Sequence, residues 1–367
     1  MKILFTNFHP RNGGGHVTYV VNLLRGLVNH HQLTVATPAS SRLYRLASEI
    51  SGVRVVDMAF TTRPSSWWAD RRILRELIVN EQFDTVHVNG SADHKQVMLA
   101  LMGIRHRPRV IFTKHNDHSL SSFGHWLRAR FSTDCSIAVS DHVKGLLMHS
   151  PYGRRPVVTV RHGIDIEYFA PVSQVEKIRL RQQYLGTEFE QKILLGSAGG
   201  TDYEKGWLDL VTAVSLLPPE QRARFHIIVI GDAPNELKRA QVADCGMASQ
   251  VSFPGLVDDV RPWLAACDIG YVLSYQEALS FACRELMALG LPVLVTRVGG
   301  LPENLADEYE GWIVPPRSPE LIKLILQKIL SQPQQLLQMG ACARARAERE
   351  FGLPAFVQAT LAAYQLE

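Results

Sequence analysis

The chain has 367 residues, 46% hydrophobic and 20% charged, which predicts a soluble globular protein of two domains. No window approaches 18 uninterrupted apolar residues, so no membrane-spanning helix is expected, and the short apolar run after MK falls short of a secretory leader. The net charge of +4 hides an asymmetry: residues 1–165 carry 21 Lys+Arg against 11 Asp+Glu, a net +10, and the remainder carries 18 against 24, a net −6. Thirteen of the 14 histidines lie in the basic stretch. An anionic partner for the first half alone follows from this, be it a membrane, a phosphorylated lipid or a nucleic acid. No basic repeat or nucleic-acid module supports the last, so no nucleic-acid partner is expected. Cys135, Cys245, Cys267, Cys283 and Cys342 are scattered and form no CxxC pair, which fits a reducing cytoplasm rather than a disulfide framework or a zinc site.

The first half alternates strand and helix. Lys2–Thr6 reads as a strand that runs into NFHPRNGGG, and His16–Leu27 as a helix. Gln32–Ala36, Val53–Val56, Asp84–Val88, Arg109–Thr113 and Ser136–Val139 read as further strands. Trp68–Val79, Val97–Met102, Phe123–Phe131 and a segment from Asp141 read as helical. This order predicts a parallel sheet covered on both faces. Gly13-Gly14-Gly15 opens the first helix, where glycine lets the backbone approach a ligand and free N–H groups face a phosphate. The spacing is not GxGxxG, and Ala36-Thr37 stands where a dinucleotide fold would carry an acid, which argues against NAD. His115 follows the strand 109–113, at the sheet edge where such folds bind ligands. Two helical stretches mix aromatics with arginine: Trp67-Trp68 with Arg71, Arg72 and Arg75, and Phe123, Trp126 and Phe131 with Arg128 and Arg130. They suit either a membrane interface or an amphipathic core helix with a basic solvent face.

The pattern breaks near residues 162–175 and restarts. Lys192–Leu195, Phe225–Ile230, Val251–Phe253, Ile269–Leu273, Pro292–Thr296 and Trp312–Val314 read as strands, and Leu208–Leu216, Glu236–Asp244 and Val260–Ala266 as helices. Lys205-Gly206 lies at a strand-to-helix turn, where a lysine can set a point charge on a diphosphate. The most informative stretch is EALSFACRELMALGLPVLVTRVGGLPE, residues 277–303. Glu277 and Glu285 read as lying on one helix, eight residues and about 12 Å apart along its axis. That is roughly the span from a sugar across a diphosphate to a ribose. Glu285 is flanked by Leu286 and Met287, so its carboxylate needs a partner, and two vicinal ribose hydroxyls would supply one. No metal constellation stands out. Asp165/Glu167 and Asp258-Asp259 read as turn or cap residues.

These motifs resemble the retaining glycosyltransferases of family 4, which have the GT-B fold. EALSFACRE resembles the family's E-x7-E motif, GLPVLVT…GGLPE its following signature, and EKG at 204–206 its phosphate-binding lysine. VIGD, FPGLV and CDIGYVLSYQEA match in place, and GGGHVTYV, TKHND, AVSDHVKGLL and HGIDIEYF match more loosely. The resemblance implies an α/β fold of two doubly wound Rossmann-like domains facing each other across a cleft. The expected bounds are 1–168 for the acceptor domain, 169–351 for the nucleotide-sugar donor domain, and a helix over about 352–367 packing back on the first.

Carried over residue by residue, the resemblance implies that Glu285 hydrogen-bonds the ribose and Glu277 faces the donor sugar. The backbone at Ser280 and Phe281 meets the phosphates, and Lys205 stabilises the leaving diphosphate. Gly14 and Gly15 let the first domain approach it, His115 contacts the sugar, and Pro254 to Leu256 flank the base. The implied reaction moves a hexose from a nucleotide sugar, UDP-linked by preference, to a lipid-linked saccharide such as lipopolysaccharide core. No metal or other cofactor is needed, and the enzyme works at the anionic inner face of the plasma membrane. Two positions depart from the pattern. Gly200 stands where the family has an arginine five residues before the lysine, and His162 where it has an asparagine. A nucleotide-sugar epimerase on the same fold, or a weakly catalytic donor-binding scaffold, are the alternatives.

Overall fold

A computed structural model describes the chain except residues 10–13, 62–63 and 367 and the side chains of residues 64–67. Gly13 and the Trp67 side chain therefore lie outside the described residues. The chain forms two units, Met1–Gly163 with Leu353–Glu367, and Ile164–Gly352.

The first unit is a seven-stranded parallel sheet built of β1 (Lys2–Thr6), β2 (Gln32–Thr37), β3 (Val53–Asp57), β4 (Thr85–Val88), β5 (Arg109–Lys114), β6 (Cys135–Ala138) and β7 (Val157–Thr159). The order is β3-β2-β1-β4-β5-β6-β7. Buried strands such as Ile3–Thr6 and Thr85–Val88 are apolar or hydrogen-bonded on both faces, as a sheet sandwiched by helices requires. The C-terminal helix Leu353–Gln365 belongs to this unit: Phe356 meets Tyr19 edge-on at 5.1 Å, and the Tyr364 hydroxyl reaches His87 Nδ1 at 2.6 Å.

The second unit is a six-stranded parallel sheet of β8 (Ile193–Ser197), β9 (Phe225–Ile230), β10 (Val251–Gly255), β11 (Ile269–Val272), β12 (Val293–Thr296) and β13 (Gly311–Val314), in the order β10-β9-β8-β11-β12-β13. Neighbouring strand residues feed opposite cores. Leu195, Ile227 and Leu294 join Trp207, Leu210 and Ile322 on one face, while Leu194, Ile228 and Val293 join Leu286 and Met287 on the other. Residues 164–168 belong here, because Ile164 bridges Gly352, its N–H donates to Phe351 O at 2.8 Å, and Ile166 packs against this core.

Both sheets reverse direction once. The chain runs outward from β1 to β3 and returns beside β1 as β4; it runs from β8 to β10 and returns beside β8 as β11. Crevices open at the carboxyl ends of strands at such switch points. The β1/β4 and β8/β11 ends are therefore where ligand chemistry belongs in each unit.

Candidate functional site

In the second unit the loop after β8 carries Lys205 and the loop after β11 carries Glu277. Lys205 Nζ and Glu277 Oε2 are 3.7 Å apart. Glycine geometry makes this possible. Gly206 has φ 64°, and a Cβ there would overlap the Leu273 carbonyl, so only glycine lets the lysine turn sit against the end of β11. The Tyr275 N–H donates to Glu204 O at 2.8 Å and ties the two loops together. Buried Trp207 anchors the turn from below, its Nε1 donating to Thr201 O at 2.9 Å.

The expectation of one helix carrying both glutamates is corrected. The helix spans Phe281–Ala288, so Glu285 lies on it and Glu277 precedes it in the loop. The cause is Ser280, whose φ of 85° breaks the helix and whose hydroxyl caps it by accepting from the Cys283 N–H at 3.2 Å. A non-glycine residue in that region costs on the order of 1–3 kcal/mol and persists only where the surroundings impose it. Here they do: buried Asn304 donates to Leu279 O at 2.6 Å and accepts from Arg284 Nε at 2.9 Å. The buried Arg284 guanidinium also lies 4.2 Å from the Phe351 ring. The Gly300 N–H donates to Glu277 O at 3.2 Å, so the GG turn clamps the same loop. The Arg284–Asn304 pair was not among the sequence candidates. An arginine between buried positions of an apolar helix was its only trace.

The helix begins four residues after Glu277, and its first turn leaves N–H groups without intrahelical acceptors, a setting that favours anions. The Glu285 carboxylate makes no hydrogen bond or ion pair among the described residues, and burial pushes it up to about 7. Pro254 lies at the end of β10, with Leu256 just beyond it and 80% exposed. Gly200 has φ 73°, and its N–H donates to Ile230 O at 2.9 Å. A Cβ at Gly231 would stand 2.6 Å from Gly200 Cα, so the β8 and β9 loops touch backbone to backbone. The missing arginine position is thus a left-handed glycine at a close approach. The acidic pairs resolve as turn residues: Asp165 Oδ1 accepts from the Tyr168 N–H at 2.9 Å, and Asp259 Oδ1 from the Arg261 N–H at 2.9 Å. Among the described residues no group of three or more His, Cys, Asp or Glu is placed to hold a metal ion.

In the first unit His115 follows β5, its Nε2 2.9 Å from Asn89 Oδ1. The His16 ring lies tilted against it at 4.3 Å, and His9 meets His16 edge-on at 4.4 Å. Burial and the neighbouring imidazoles hold His115 well below the usual histidine range, and burial with His9 takes His16 down to about 4. Gly14 starts the first helix at φ 49°, with open space where a Cβ would stand, and exposed Gly15 follows it. His115 is on the first unit, whereas Lys205, Pro254, Leu256, Glu277, Ser280, Phe281 and Glu285 are on the second.

The aromatic–arginine helices are less basic outwardly than their sequence suggests. Arg71 Nε donates to Leu99 O at 2.9 Å, and Arg75 to Ala100 O and Met102 O at 2.9 and 2.7 Å, so both cap a neighbouring helix. Arg128 is buried. Arg72 and Arg130 face solvent. Trp68 and Phe123, each 72% exposed, remain as apolar prominences, and a depression of about 560 Å³ beside Trp68 is lined by Arg71, Arg72 and Arg75.

Comparison with known proteins bears on the same residues. Residues 13–168 match the family model described as Glycosyltransferase Family 4, and residues 192–332 the one described as Glycosyl transferases group 1. The chain is 25% identical over 295 residues to the putative glycosyltransferase EpsD of Bacillus subtilis, covering 76% of this chain and 75% of EpsD. It is 26% identical to the GDP-mannose-dependent alpha-(1-6)-phosphatidylinositol monomannoside mannosyltransferase of Mycobacterium tuberculosis, over 93% and 92% of the two chains. Several other curated relatives are matched over about half their own length. The crystal structure of Anabaena HepE in complex with UDP superposes with a TM-score of 0.85 at 20% identity, over 99% of each chain. With a family 4 domain first, a group 1 domain second and two parallel sheets of Rossmann type, the chain is a glycosyltransferase of GT-B type.

Proposed function

We propose that the protein is a retaining hexosyltransferase that uses a nucleoside diphosphate sugar, UDP-linked by preference, and a lipid-linked saccharide acceptor such as lipopolysaccharide core. The observation that carries the donor is the unpartnered Glu285 carboxylate, one helical turn beyond the helix start that adjoins the Lys205–Glu277 pair. Ribose hydroxyls satisfy Glu285, the diphosphate takes Lys205 and the amides around Ser280 and Phe281, and the hexose meets Glu277. The base lies along Pro254 to Leu256, Gly14 and Gly15 admit the phosphates, and His115 meets the sugar. Support for uridine comes from HepE, whose structure holds UDP, while the mycobacterial relative's name specifies GDP-mannose.

In the reaction the bond between the anomeric carbon and the phosphate oxygen breaks. A new bond to the acceptor oxygen forms on the same face, and the acceptor's proton passes to the departing phosphate. Lys205 and the helix N-terminus carry the charge that develops on the diphosphate, so the chemistry needs no metal. The lipid-linked acceptor is supported by the net +10 of the first 165 residues, by exposed Trp68 and Phe123, and by the lipid-anchored acceptor in the mycobacterial relative's name. Action at the inner face of the plasma membrane follows as part of the same proposal. No helix among the described residues is long and apolar enough to cross a membrane.

The test is a calorimetric panel of UDP, ADP, GDP and NAD on wild type and Lys205→Ala, followed by product analysis with and without lipid extracts. One nucleoside diphosphate should bind, the variant should lose it, and donor should be consumed only when acceptor is present. Conversion of donor alone would identify an epimerase. Binding without transfer to any acceptor would identify a scaffold.

A further inference from the structure

Asn89 follows β4, is buried, and stands at the β1/β4 switch point. Its amide orientation is set by its neighbours: Nδ2 donates to Thr6 O at 3.2 Å and to His87 O at 3.3 Å. Oδ1 is therefore the atom that meets His115 Nε2, and an acceptor there requires Nε2 to carry the proton. His115 is held neutral by burial, and a neutral imidazole with a proton on Nε2 has a bare Nδ1. The His16 ring lies 4.3 Å from the His115 ring, centre to centre. His16 Nδ1 is buried and has no partner among the described residues. Asp93 holds Asn89 in turn, its Oδ2 accepting from the Asn89 N–H at 3.0 Å and from Thr6 Oγ1 at 2.8 Å. Tyr19 stands edge-on to His115 at 4.6 Å and restricts its ring.

We propose that Asn89 is a positioning residue that locks His115 as its Nε2–H tautomer, so that a bare Nδ1 is offered to the hydroxyl groups of a saccharide. Hydroxyls are donors, and a neutral lone-pair acceptor takes them without adding a charge. The saccharide as ligand rests on the proposed function, whereas the tautomer does not. It follows from hydrogen bonds within one unit.

The experiment is a two-bond proton–nitrogen spectrum of protein labelled with 15N-histidine, near pH 7.5. His115→Gln assigns the ring. Expected in the free wild type are a protonated Nε2 and a bare Nδ1 on His115, and in Asn89→Leu a substantial Nδ1–H population on the same ring. Protonation of Nδ1, or a charged ring, in the wild type would overturn the proposal, as would an unchanged His115 tautomer in Asn89→Leu. Addition of UDP-glucose should move the Nδ1 resonance of His115, and UDP alone should not. If UDP-glucose binds by calorimetry and the His115 Nδ1 does not respond, the saccharide role is overturned while the donor site stands. If neither UDP-glucose nor UDP binds, the uridine donor assignment fails, and the ligand-free spectrum alone decides the tautomer.

Discussion

The two units share one chassis and place different groups at its switch point. The first is basic in its sequence, and around its β1/β4 switch it gathers the imidazoles of His115 and His16 and the Asn89 amide, with the Asp93 carboxylate accepting from the Asn89 N–H. The second is acidic overall and places full charges at its β8/β11 switch, Lys205 against Glu277 with the Glu285 carboxylate nearby on the following helix. Topology chooses where a site lies, and the loop residues choose its charge. Neutral acceptors suit uncharged hydroxyls, while a cation, a helix terminus and an unpaired carboxylate suit a diphosphate and its ribose.

The contrast breaks most sharply at Lys205. Lys205→Ala should lower kcat/KM roughly 100- to 1,000-fold, the range for losing one preorganised donor to developing charge, with circular dichroism unchanged. Steady-state kinetics checks it, and a loss under threefold would remove Lys205 from the charge-bearing role.

Glu285 is next. Its folded pKa, about 7, lies above the ordinary 4.5 of a glutamate, so the native state keeps a proton that the unfolded chain gives up. Stability contributed by this group is therefore present at low pH and is lost as pH rises from about 4.5 to about 7. Glu285→Gln should raise unfolding free energy above pH 7 by roughly 1–3 kcal/mol while weakening nucleotide binding roughly 10- to 100-fold. Urea titrations at pH 5 and pH 8 beside calorimetry would read both. A variant that gains no stability at pH 8 would show that the carboxylate is already satisfied.

The basic exterior gives a smaller effect. Binding of the wild type to anionic vesicles should fall steeply between low and physiological salt, and Trp68→Ala with Arg72→Ala and Phe123→Ala should weaken it roughly tenfold. Cosedimentation insensitive to salt would point to a soluble acceptor. Smallest is Gly200→Arg. The backbone there is left-handed, so the substitution should cost about 1 kcal/mol in stability. A Cβ has room, its nearest neighbour being the Asp232 N at 3.5 Å, so the new guanidinium should raise diphosphate affinity a few-fold. Unchanged affinity would mean that this loop does not face the phosphates.

Much of this was legible in the sequence because its cause is local. Alternating apolar runs and helices specify a parallel sheet wherever both faces must be covered, and the spans Phe225–Ile230 and Glu236–Asp244 were read to the residue. The glycines around Lys205 and the E-x7-E string marked the loops that carry charge. Other features depended on partners distant in the chain. Helical periodicity alone runs on through Glu277. The break at Ser280 needs Asn304, twenty-five residues from the Leu279 carbonyl it binds, and buried Arg284 to hold it. Arg71, Arg75 and Arg128 look like surface charge until neighbouring carbonyls and burial claim them. Asn89 and His115, 26 positions apart, meet only because β4 and β5 are neighbours in the sheet. Propensity, pattern and composition act over a few residues, so the chassis, the glycine turns and the types of charge in each unit are readable along the chain. Which polar atoms are satisfied, which carboxylate is left open and which tautomer a histidine keeps were decided by tertiary structure alone, since a hydrogen bond is specified by atoms that folding brings within about 3 Å.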